Sequence, residues 1–325
     1  MDTVLLEKAT DDFIKAVNPA WRKYHRIADK SAPRVRNQIL KAIAALQGSV
    51  ALKDVQRALE RKDIKAAVKS IDWTAFETNL KAIGVTEIGQ LFKRSSVLAI
   101  KDLKALPKVE ITTSFTLRNK EAERFIERNA TKIARDISKE SQKAIRAIIR
   151  DGFKEGNPPA KMARQIRPLI GVNDRQAKAL VKLRRDLNIQ RAAGKSPFKT
   201  VRLTQQKVND LVKKQTERFI RQRAIMISRT ETIRSASMGI QNSWEEAIRQ
   251  GFLDPKFTRK VWIVTPDDRL CDYCSSMDGQ TIEIQADFQS GEVELQNGDI
   301  RSFPETISPP LHPMCRCATV LEFIN

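Results

Sequence analysis

The sequence predicts a mainly α protein with long amphipathic helices and a small β-rich module at its C-terminal end, an α+β chain overall. Apolar residues recur at helical spacing through the first three quarters of the chain. From Thr204 to Gln250 there is no proline, and Gly239 is the only glycine, which predicts one very long helix or two nearly collinear ones. After Gly251 the period changes to short β-type runs, and the charge changes sign with it. Residues 261–325 hold three basic and eleven acidic side chains, −8. Residues 1–260 hold 56 basic and 28 acidic ones, +28.

Four segments follow from this reading. Residues 1–105 are a basic helical N-terminal region, 106–118 a connector, 119–255 a helical body with its long helix at about 204–250, and 256–325 an acidic β-rich Cys/His module. In the first, Val4, Leu5, Leu6, Phe13, Ile14 and Val17 keep helical spacing until Pro19 breaks the pattern. The sets Val35–Ile39–Leu40–Ile43–Leu46, Leu52–Val55–Leu59 and Trp73–Phe76–Leu80 mark further short helices. His25 reads as a helix-surface residue. The run Val109 to Phe115 is β-type and follows Pro107.

The body opens with a helix from about Asn119 to Phe153. Asn157 and Pro158 then read as N-cap and first helical residue of the next one. Gly171 closes that helix, and Asn173 or Asp174 caps its successor. Residues 191–201 form a basic turn before the long helix. In the last segment, Val261–Thr265, Gln280–Ile284 and Ala318–Phe323 are strand-like. Glu292–Leu295 with Asn297-Gly298 reads as a hairpin arm and its turn.

A β-module this small has little core and needs a staple. All four cysteines of the chain lie in it. Cys271-Asp272-Tyr273-Cys274 is a C-x2-C pair, and His312-Pro313-Met314-Cys315-Arg316-Cys317 follows downstream. Two clusters of thiol and imidazole ligands are the usual construction of a tetrahedral Zn²⁺ site. The expected ligands are Cys271 and Cys274 with two of His312, Cys315 and Cys317. Five groups compete for four positions, and a filled site is structural rather than catalytic. Unmetallated buried cysteines and a disulfide are the alternatives. The fold class is thus mainly α with a small C-terminal β-rich zinc-stapled module.

Catalytic residues and small-molecule cofactor sites are not expected. The chain has two histidines, and neither stands in H-x-E or H-E-x-x-H. Phosphate-binding and nucleophile-elbow glycine motifs are missing as well. No apolar run is long enough to span a membrane. Met1-Asp2-Thr3-Val4 offers neither the basic start nor the apolar stretch of a secretory signal, so a cytoplasmic chain is expected. The net charge of +20 points to a polyanionic neighbour. The acidic module is the wrong sign for that contact, which directs it to the basic helices.

Three stretches carry a resemblance to a known family: Ala224 to Thr232 with its Arg229-Thr230-Glu231; Trp262 followed by Asp267 to Cys274 and Asp278-Gly279; and Pro309 to Cys317. Together they resemble the phage Mu F-like head morphogenesis family, over roughly residues 120–325. Residues 1–105 match no motif, and an acidic β-hairpin insertion between Gly279 and Pro309 is unexplained by it. The resemblance implies a non-enzymatic minor capsid protein. It would join the procapsid, contact the portal protein and capsid or scaffold proteins, and remain inside the DNA-filled head. Assembly would be in the host cytoplasm, and contact with packaged DNA would be non-specific. The alternative is a zinc-containing nucleic-acid-binding protein outside the virion.

Overall fold

A computed structural model describes residues 19–105, 120–197, 202–265, 270–294 and 298–324. The helical pattern of Val4–Val17, the β-type run Val109–Phe115, Asp267–Arg269 and the Leu295–Asn297 turn lie outside them. Of the described residues 68% are helical, and a small β part follows, a mainly α fold as the periodicity predicts. It divides into two compact units.

One unit comprises Arg36–Gly84 and Arg128–Ile225. It holds α2 (Leu52–Glu60), α3 (Ile64–Lys69), α4 (Trp73–Ile83), α7 (Pro159–Ile166) and α8 (Asp174–Ala192), with parts of α1 (Pro19–Ser49), α6 (Lys120–Lys154) and α9 (Gln205–Arg249). Caps set the short helices. Asp63 accepts from Ala66 N at 2.8 Å, and Asp72 from Ala75 N at 3.0 Å. Asn173 and Gln176 form a reciprocal capping box at the start of α8. The predicted cap at Asn157 is displaced by one residue. Pro158 is the N-cap, and the Asn157 side chain pairs with Lys161 and Glu155 instead. Gly171 has φ +101°, and its carbonyl accepts from the buried Arg223 guanidinium at 2.9 Å. That turn needs a glycine, because a side chain there would be strained and would also meet Ile43.

The other unit comprises Met1–Val35, Val85–Glu127 and Met226–Asn325. It includes α5 (Gly89–Lys104), which follows a π-turn at Gly84–Ile88, and the C-terminal half of α9. The helix α1 runs 31 residues with Pro33 inside it, longer than the short helices the periodicity predicts. Its Tyr24 and Lys23 both bind Asp102 of α5, at 3.1 and 2.7 Å. Gly239 is where α9 meets α5 backbone to backbone. A Cβ there would lie 2.4 Å from the Phe92 carbonyl oxygen. Ser96 Oγ donates to Gly239 O at 2.8 Å, and Ser235 Oγ to Ile88 O at 2.7 Å. Buried serines thus satisfy helix carbonyls while keeping the approach close.

The β part belongs to this unit. Strand β1 (Thr258–Ile263) lies between β2 (Thr281–Ile282) and β5 (Ala318–Phe323), antiparallel to both, with Val261 opposite Val320. Strands β3 (Gly291–Glu294) and β4 (Ile300–Phe303) make a separate hairpin. The first strand begins three residues before the apolar run suggests. Its buried face carries Thr258, Lys260 and Trp262, so a lysine sits in the core.

Lys260 is fully buried. Its Nζ donates to the Ile307 carbonyl at 2.8 Å and lies 3.4 Å from Gln241 Oε1 and 5.4 Å from the Phe288 ring centre. Gln241 in turn donates to the Ile284 carbonyl at 2.6 Å. These contacts fix the acidic insertion to α9. Burial pulls the Lys260 pKa from 10.5 down to about 8, against the opposing pull of Glu245 and Asp287. The folded state therefore binds this proton more weakly than the unfolded chain does. Its cost is complete below pH 8 and relieved as pH rises toward 10.5. Over that window the wild type should gain stability relative to Lys260→Met. Denaturant midpoints of the two proteins at pH 7, 9 and 10 check this.

Candidate metal centre

The five predicted ligands come together. Cys271 is the N-cap of α10 (Asp272–Ser275), so one helical turn brings Cys274 round beside it. His312 and Cys315 are joined by a tight turn, with Cys315 N donating to His312 O at 3.2 Å and Met314 at φ +65°. Cys317 lies just before β5. The ligand atoms form two sets, each within 4.8 Å, that share Cys274. One is Cys271–Cys274–His312 and the other Cys274–Cys315–Cys317. Such a cluster can hold a metal ion.

The His312 Nε2 atom is 3.0 Å from both Cys271 Sγ and Cys274 Sγ. Its Nδ1 lies 2.8 Å from the Pro313 carbonyl. A proton on Nδ1 donates there and leaves Nε2 as the lone-pair nitrogen facing the thiols. Cys274 Sγ and Cys315 Sγ are 3.7 Å apart. Cys274, Cys315 and Cys317 are all buried. Hydrogen bonds from Cys274 and Cys317 hold the Cys315 thiol well below its usual pKa, against burial. The same contact with Cys315, with Cys317 and burial added, pushes Cys274 far up. For Cys317, the bond from Cys274 lowers the pKa, but Cys315 and burial outweigh it and raise it. One thiolate is stabilised at the expense of its neighbours, because like charges this close cannot all ionise unaided.

An apolar shell surrounds the cluster. Trp262, Val264, Met277, Phe288 and Phe303 are buried around the cysteines, with Trp262 and Phe288 edge to face at 5.1 Å. Phe288 and Phe303 come from the acidic insertion between Gly279 and Pro309. The insertion therefore completes the core of the cysteine module, a role its charged sequence hid.

Two helices reach this loop. Thr230 Oγ1 of α9 accepts from Met314 N at 3.0 Å, inside the His312–Cys315 turn. Glu231 pairs with Arg234 at 2.6 Å, and Arg229 lies 3.7 Å from Asp29. The Arg-Thr-Glu motif thus acts chiefly through its middle residue, which anchors the ligand loop to the long helix. From α1, His25 Nε2 lies 3.3 Å from the Cys317 carbonyl. His25 is therefore not the plain surface residue its position suggests. Burial lowers its pKa, opposed by Asp29. Nothing local in the sequence signals this contact, whose partner is 292 positions away.

A family model described as Phage Mu protein F like protein matches residues 143–320, more than half of the chain. The chain belongs to this family, which is one of phage head morphogenesis. The matched segment contains the Arg-Thr-Glu helix and all five Cys/His residues. No curated protein and no solved structure matches the chain. Among the described residues, no helix is long and apolar enough to cross a membrane.

Removing the Thr230 hydroxyl leaves the half-buried Met314 N–H of the ligand loop without its acceptor. Thr230→Val should destabilise the C-terminal unit by about 1–2 kcal/mol, while Thr230→Ser retains the bond. Denaturant unfolding followed by tryptophan fluorescence separates the two variants.

Proposed function

We propose that this chain is a non-catalytic minor capsid protein, bound at the portal on the inside of the phage head. There it contacts the portal protein and capsid or scaffold proteins during procapsid assembly, DNA packaging or ejection. The observation that carries this reading is the family match over residues 143–320. The architecture supports it. A long helix pinned to a cross-linked loop is a rigid fixture, as a particle component needs, rather than a mobile catalytic cleft.

In this reading the Cys/His cluster is a structural zinc site, and the donor set fits that ion. Tetrahedral Zn²⁺ with Zn–S bonds near 2.3 Å requires sulfurs about 3.8 Å apart, against 3.7 Å for Cys274 and Cys315. Cys271, Cys274, His312 and Cys315 are linked by successive close approaches and are assigned as the ligands. Cys317 is left as the outer thiol. The Trp262 indole N–H pulls the Cys317 pKa down, but less than Cys315 and burial push it up, so Cys317 is held as the neutral thiol. Bound zinc would supply charge neutralisation and a cross-link, with no position left for a reacting water.

The test is quantitative mass spectrometry of purified virions and procapsids. The chain should be present in both at a small, fixed copy number relative to the portal protein. A chain abundant in the infected-cell lysate but missing from both particles would contradict the proposal.

A further inference from the structure

We propose that a basic cleft beside the metal centre binds the phosphodiester backbone of nucleic acid, reading phosphates and not bases. This deepens the reading of the chain as a head protein by giving the packaged polyanion a definite seat.

The cleft has a volume of about 540 Å³. One wall is helix α1, where Arg22, Arg26 and Lys30 recur every fourth residue and so share a face. Arg229 of α9 and Arg316 of the ligand loop provide the opposite cations. Among the described residues one carboxylate, Asp29, lines the cleft with these five, in an ion pair with Arg229 at 3.7 Å, and the described lining stays net positive. His25 and Thr265 complete the lining.

The composition of the walls identifies the ligand chemistry. Guanidinium groups favour oxyanions, which they grip bidentately. Among the described residues, the lining offers no aromatic ring besides the His25 imidazole on which bases could stack. A repeated row of cations on a helix suits successive phosphates better than one isolated anion. Arg316 stands between Cys315 and Cys317, and its carbonyl accepts from Thr265 Oγ1 at 2.9 Å. The metal centre thus sets the position of one cleft cation, although its own module is acidic.

The test is binding of the purified full chain to a labelled 20-base-pair duplex of mixed sequence, by fluorescence anisotropy over a salt series. Arg26→Glu/Lys30→Glu changes two exposed cleft cations. Arg61→Glu/Lys65→Glu makes the same net-charge change at exposed residues that do not line the cleft. Thermal melts confirm that both variants fold. The cleft variant should lose at least about tenfold in affinity, and its log–log salt slope should fall by about two. The control should lose less than about threefold, and sequence-scrambled duplexes should bind alike. Equal losses in both variants, or no duplex binding by wild type, would overturn the proposal. So would stronger competition by polyglutamate, or by inorganic pyrophosphate, than by unlabelled duplex at equal charge. Virion content is measured separately, so this seat can fail while the chain remains a head protein.

Discussion

The C-terminal part of this protein depends on the meeting of two short segments around one sulfur. Residues 271–274 and 312–317 converge on Cys274, which belongs to both ligand sets. Three buried thiols in mutual contact are an electrostatic problem, since ionising one raises the cost of ionising the next. A divalent cation among them would remove that conflict and turn it into a cross-link. The sheet around them is three strands wide and could not close a large core by itself.

A cross-link there would matter beyond its own module, because other elements are fastened to the ligand loop. Thr230 ties the ligand turn to the long helix, and His25 meets the Cys317 carbonyl from α1. On the same buried face of β1 as Trp262, Lys260 binds a carbonyl of the insertion, and Gln241 of α9 binds another. The result is a rigid corner in which helix, sheet and insertion share one set of buried polar contacts. Buried polar contacts of this kind favour a single arrangement without contributing much net stability.

Much of this was legible in the sequence where the signal is local. The spacing of C-x2-C and H-x2-C-x-C predicted the five residues that meet, and the long proline-free stretch became α9. The terminal strand Ala318–Phe323 also matches its apolar pattern. What escaped was tertiary. Lys260 looks like a surface residue until its strand alternation is known, and Gly239 looks like a weakness until the Phe92 carbonyl is seen against it. The acidic insertion hid Phe288 and Phe303, two aromatic rings buried around the cysteines. His25 was misjudged because only folding brings a partner so remote in sequence beside it. Asn157 lost its capping role because its side chain found a closer lysine.

The central claim is that a thiolate-rich zinc site locks this corner. X-ray absorption at the zinc edge of the purified, metal-replete chain tests it most directly. The account predicts one zinc per chain with three sulfurs at about 2.3 Å and one nitrogen at about 2.0 Å. A chain purified without zinc and with four titratable thiols would contradict it, as would a first shell of oxygen and nitrogen alone.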